Sequence, residues 1–176
     1  MAMLIGLINQ LATKRGFIGL LIIYLVVFGT IVFTLRQLME LTGFGILDFD
    51  RGYSFARVQQ VLGSYGAEGM ALYFRIQLLD LLNPALYSLL AAALTAMVWR
   101  GTGPSWLVLF PLLAGLGDYL ENITLLVITF RYPNISEGLV ATSSTLSLLK
   151  NGLLVVGLIP LIVGIALRVT GRMRRD

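Results

Sequence analysis

The chain contains no cysteine and no histidine. The first absence removes disulfides, thiol nucleophiles and thiolate metal sites. The second removes the usual proton shuttle and the commonest haem and zinc ligand. Charge is scarce too: 12% of the 176 residues are Asp, Glu, Lys or Arg, against 57% hydrophobic. With a mean hydropathy of +0.87, the sequence is too apolar for an ordinary water-soluble domain. The net charge of +4 does not point to nucleic acid. The basic residues gather at the ends of apolar runs, where membrane anchors sit.

Residues 2–12 place Leu4, Leu7, Ile8 and Leu11 at i, i+3, i+4 and i+7, the spacing of a short amphipathic helix on a membrane surface. Four apolar runs follow, about 16–35, 70–98, 106–130 and 139–167. Each reaches the roughly 20 residues that a helix needs to cross a bilayer. The first is too long for a signal-peptide core and has no small-residue cleavage site after it, so it is expected to be retained. The expected fold class is all-α, a single integral membrane domain built as a four-transmembrane-helix bundle.

Between the first two runs, residues 36–69 form a polar, glycine-rich outer loop. Within it, Ser54 caps an amphipathic segment with Phe55, Val58 and Leu62 on one face and Gly63 as its stop. The run 70–98 would be roughly 43 Å long as one helix, against a hydrocarbon core of about 30 Å. A kink is expected at Asn83-Pro84, because Pro84 lacks an N–H and frees the carbonyl of Asp80.

Orientation follows from the basic residues. Lys14, Arg15, Arg100, Arg168, Arg172, Arg174 and Arg175 fall on one side; Arg36, Arg51, Arg57 and Arg131 fall on the other, with acids beside them. Both termini are therefore expected to be cytoplasmic, in a multi-pass protein of the cell (inner) membrane. Trp99 and Trp106 bracket the cytoplasmic turn as interfacial anchors would.

Five charges lie inside the apolar runs: Arg75, Asp80, Asp118, Glu121 and Lys150. Asp118 is twelve residues from each end of its run, near the midplane. Glu121 and Lys150 lie at similar depth, Asp80 nearer the outside, and Arg75 is shallower. At 100° per residue, Tyr73, Gln77, Asp80, Asn83 and Tyr87 share one arc of the second run. Asp118, Glu121, Asn122 and Thr129 share one on the third, and Ser143, Ser147, Lys150 and Asn151 share one on the fourth. These stripes are expected to face one another, since lipid cannot satisfy them. Left uncompensated, five charges would cost on the order of 12–17 kcal/mol, as much as a whole domain's stability. Arg75 and Lys150 are therefore expected to pair with two of the three acids, leaving one over.

Sharper motifs lie beside these stripes. Ser147-Leu-Leu-Lys150 has the spacing of a lysine-activated serine nucleophile, but Asp118 and Glu121 would hold the lysine charged. The run from Asp48 to Arg57 is loosely similar to the CDP-alcohol phosphotransferase signature. Its spacings are wrong and the later paired aspartates are missing. An oxygen-ligand metal site from Asp80, Asn83, Asp118, Glu121 and Asn122 is opposed by Arg75 and Lys150, so no metal and no cofactor is expected. Asn122-Ile-Thr124 matches a glycosylation sequon in the middle of a span.

Leu62-Gly63, Gly66-Ala-Glu-Gly69, Tyr73-x-Arg75, Asp80, Pro84, Tyr87, Asp118-x-x-Glu121-Asn122 and Leu149-Lys150 together resemble a family of small bacterial four-span membrane proteins. The resemblance covers about residues 53–151. It implies the four-span fold and the same polar residues, and no activity.

The function expected is binding of a polar or charged ligand, such as a lipid headgroup, a small solute or a proton, in a charged intramembrane cavity, with transport as one outcome. The ligand-binding residues would be Arg75, Asp80, Asn83, Tyr87, Asp118, Glu121, Asn122, Ser147 and Lys150. Alternatives are an intramembrane enzyme using the acids as an acid–base pair on a lipid-borne substrate, and an accessory subunit of a membrane complex. Expected partners are membrane lipids, with a small polar ligand or a second copy of the chain.

Overall fold

A computed structural model describes residues 2–50 and 52–172. Arg51, Arg174 and Arg175 of the charge asymmetry lie outside them. The chain is 85% helical, with no strand among the described residues. In order come α1 (Ala2–Leu11), α2 (Lys14–Thr42), a 3-10 turn (Leu47–Phe49), α3 (Phe55–Asp80), α4 (Asn83–Val98), a second 3-10 turn (Ser105–Val108), α5 (Leu109–Arg131) and α6 (Glu137–Val169). Four stretches, Lys14–Thr42, Phe55–Val98, Ser105–Arg131 and Glu137–Val169, are long and apolar enough to cross a membrane.

Two boundaries differ from the sequence reading. The segment after Ser54 does not stop at Gly63. Ser54 caps it by accepting from the Arg57 N–H at 3.2 Å, and the helix runs on to a kink at Gly66 before resuming as far as Asp80. Gly66 has φ 58° and ψ −168°, a region open in practice only to glycine. Nothing lies within 4 Å of where a Cβ would sit there, so backbone conformation alone makes the position exclusive. Gly66→Ala is therefore expected to cost about 1–3 kcal/mol, read as a lower midpoint in denaturation of the purified protein. An unchanged midpoint would mean the kink is not held.

The second difference is at Pro84. The run 70–98 is not one bent helix but two, separated by Leu81 and Leu82. Pro84 is the second residue of α4, where its fixed φ suits a first turn and its missing N–H costs no bond. A proline that reads as a mid-helix kink here starts a new helix.

The chain divides into two compact units. One is made of residues up to 25, 84–116 and from 152 onward. Its small core joins Ile8 of α1 to Ala92 and Val108, with Ile5, Ala96 and Leu112 against them. Of the apolar positions expected on α1, Ile8 is enclosed, while Leu4 and Leu7 stay exposed. Glycines allow close approach: Gly157 meets Ala114 and Phe110, and Gly164 meets Val98 and Trp99. The Trp99 indole donates to the Pro160 carbonyl at 2.9 Å, so this tryptophan is a packing strut, whereas Trp106 remains half exposed.

The other unit is made of residues 26–83 and 117–151. Its core is larger and includes Leu38 of α2, Leu47 of the first 3-10 turn, Val58, Val61, Leu62, Tyr65, Tyr73 and Ile76 of α3, Leu125 and Ile128 of α5, and Val140 of α6. This unit carries the polar centre.

Candidate functional site

Lys150 occupies a buried position on α6, and its ammonium meets three carboxylates. Glu121 Oε2 is the nearest; Asp48 Oδ1 lies at 3.2 Å and Asp118 Oδ1 at 3.4 Å. Asp118 and Glu121 are three residues apart on α5, so both face the same way. Asp118, Glu121 and Lys150 are all buried. The stripes expected to converge from the third and fourth runs do converge.

Asp48 was read as an ordinary loop acid, and its place in the centre is the main correction to the site. The segment between α2 and α3 is strapped down rather than free. Ile46 and Leu47 enter the core at the start of the first 3-10 turn, the Tyr65 hydroxyl donates to the Gly45 carbonyl at 2.6 Å, and Arg57 Nε donates to Asp50 Oδ2 at 2.8 Å. The Tyr53 N–H donates to Ser144 Oγ at 2.9 Å, and its hydroxyl shares a 2.7 Å bond with Ser143 Oγ. Ser143 in turn shares a 2.8 Å bond with Thr124 Oγ1, which donates to the Glu121 carbonyl. Burial pushes the Tyr53 phenol above its ordinary range, so it stays a neutral hydroxyl able to hold this chain of bonds. Two apolar residues ahead of an acid in a polar stretch, Ile46-Leu47-Asp48, were the signal that this loop docks.

Arg75 is the second correction. It is exposed, and it forms no ion pair among the described residues. The expected pairing of Arg75 with a buried acid is absent among the described residues, and Lys150 alone among the described cations pairs with Asp48, Asp118 and Glu121. On the helical wheel Arg75 stands about 160° from Gln77, at 100° per residue. Its charge suggested a partner; its phase pointed away.

Asp80 lies at the end of α3, partly buried, and its Oδ1 accepts from Asn83 Nδ2 at 3.0 Å. Its carbonyl accepts from Asn122 Nδ2 at 3.2 Å. The carbonyl that Pro84 was expected to free is thus capped by the side chain next to Glu121. Ser147 Oγ donates to the Asp50 carbonyl at 3.5 Å. An ammonium ringed by three carboxylates is the opposite of the setting a serine-activating lysine needs. Tyr87 belongs to the other compact unit.

Beside the cluster is a small cavity, about 10 Å³, lined by Asp48, Ile76, Gln77, Asp80, Asn122 and Leu125. That is room for about one water molecule. Nothing the size of a lipid headgroup fits within it. Searches against known protein families, curated proteins and solved structures return no match.

Proposed function

We propose that the chain is a multi-pass membrane protein whose acid-rich centre takes up a small cation, the proton foremost, from the outer half of the bilayer. One observation carries the reading: a single ammonium, Lys150, faces three carboxylates, Asp48, Asp118 and Glu121. A fourth, Asp80, shares a cavity with Asp48. Acids outnumber the base, and in apolar surroundings such an excess calls for protons or cations.

Membrane insertion is supported by the four long apolar stretches and by the rows of bare apolar side chains on α2 and α6, among them Ile22, Val26, Phe33, Val155 and Ile162. Such surfaces are not left facing water. The distribution of basic residues supports cytoplasmic termini, and on that reading the segment between α2 and α3 covers the cluster from outside. The one-water cavity favours a proton or small ion over the bulkier ligands that the sequence admits.

In proteoliposomes under an imposed membrane potential, the wild type is expected to carry protons or monovalent cations. Asp118→Asn and Glu121→Gln should lower that flux at least tenfold while keeping the helical spectrum. Equal flux from wild type and both variants would sink the reading.

A further inference from the structure

Beyond the Lys150 cluster, several buried polar atoms lack a hydrogen-bond partner among the described residues, and Gln77 carries two of them. Gln77 is 7% exposed, and neither its amide nitrogen nor its amide oxygen has a hydrogen-bond partner among the described residues. Leaving such a group unbonded costs about 1–3 kcal/mol, and buried carboxamides in native proteins are seldom left so. Its side chain lines the small cavity together with the carboxyl-bearing residues Asp48 and Asp80 and the carboxamide of Asn122.

We propose that this cavity is a binding site for one monovalent cation of the size of sodium. The proposal rests on the reading above, that the acid-rich centre takes up a small cation, and it names the place and the ion.

The donor set is the first argument. Asp48 and Asp80 bring carboxylates, and Gln77 brings an amide oxygen. Asn122 has its nitrogen committed to the Asp80 carbonyl, which leaves its oxygen as the atom free to ligate. Oxygen-only sites select hard cations. With no nitrogen or sulfur ligand lining the cavity, a transition metal has nothing to favour it.

Size and charge are the second argument. A cavity of about 10 Å³ holds a single water-sized particle. Calcium takes six to eight oxygens; of the side-chain oxygens in this lining, Asp48 Oδ1 is already engaged by Lys150 and Asp80 Oδ1 by Asn83, which leaves too few. Magnesium keeps several of its waters, for which there is no room. A bare monovalent ion meets both limits. It also offsets part of the negative excess beside it, which a neutral water in the same place would leave untouched.

Arg75 completes the case. Read from the sequence, it argued against a cation by supplying a second positive charge. The helix turns it to the exposed surface, so Lys150 is the only cation beside the acids among the described residues.

The test is thermal unfolding of the purified full-length protein in sodium, potassium and choline chloride at equal ionic strength. Sodium is expected to raise the melting temperature by about 3–6 °C on going from none to ten times its dissociation constant, with saturation. Choline should have no such effect, and potassium a smaller one. Gln77→Met keeps the volume and removes both orphan polar atoms. It should melt at or above the wild type in choline and shift by less than about 1 °C in sodium, scaled from the same linkage. This opposite pair of signs separates loss of the site from loss of the fold.

Identical melting in all three salts overturns the site, as does a full sodium response in Gln77→Met. A larger stabilisation by micromolar calcium overturns the monovalent assignment. Proton flux in proteoliposomes without a sodium shift sinks this site and spares the uptake reading. A sodium shift with no flux of any ion sinks the uptake reading and spares the site.

Discussion

Replacing Lys150 with methionine should lower the stability of the folded protein by about 3–5 kcal/mol, the usual cost of removing one partner from a buried ion pair. Methionine is close to lysine in volume, so packing is nearly kept and the change isolates the charge. What remains is Asp48, Asp118 and Glu121 around a point where their shared counter-charge stood. Like charges so placed in a low-dielectric interior repel strongly. The companion variant is Lys150→Met with Glu121→Gln, which removes the nearest carboxylate charge as well. It should recover a substantial part of the loss, because an isosteric neutral pair is tolerated far better than a lone charge. Equilibrium unfolding in mixed micelles, followed by helical circular dichroism, reads both. If the single variant unfolds at the wild-type midpoint, Lys150 does not hold the cluster together.

The second large effect is at Leu47. This side chain is fully enclosed, while Phe49, two residues on, is 66% exposed. Leu47→Ala should therefore cost about 2–5 kcal/mol through lost burial and the void left behind. Phe49→Ala should change stability by no more than about 0.5 kcal/mol. The contrast matters because Leu47 anchors the turn that carries Asp48. A looser turn lets Asp48 leave Lys150, so Leu47→Ala and Asp48→Asn should be less than additive when combined. Amide exchange across residues 43–54 should quicken in Leu47→Ala and not in Phe49→Ala. Equal exchange in the two variants would show that the turn is not held by its leucine.

These two residues also show where sequence reading succeeds and where it stops. Helical phase brought Asp118, Glu121 and Lys150 together correctly, because each lies on a long regular helix whose other faces are apolar. Phase also placed Arg75 off the polar stripe; the appeal of a second cation outweighed it, wrongly. Tyr87 was placed on that stripe by counting through one continuous helix. The helix breaks at Leu81 and Leu82, and Tyr87 lies beyond the break on α4. Asp48 had no phase to read, since a 3-10 turn of three residues has too little periodicity. Its position follows instead from contacts distant in sequence, between Tyr53 and Ser143 and between Asp48 and Lys150. Pro84 shows a different limit. A proline inside an apolar run fits a kinked helix or the start of a new one, and the local sequence allows both.

The order of residues in the cluster has a consequence for how the protein is made. A ribosome delivers Asp48, Asp80, Asp118 and Glu121 before it delivers Lys150. Until the last long helix emerges, the nascent chain therefore holds four acids that lack the ammonium three of them will share. Such a chain has reason to keep its acids near water until α6 arrives. Helix α6 then acts as a latch, closing the polar centre as it arrives.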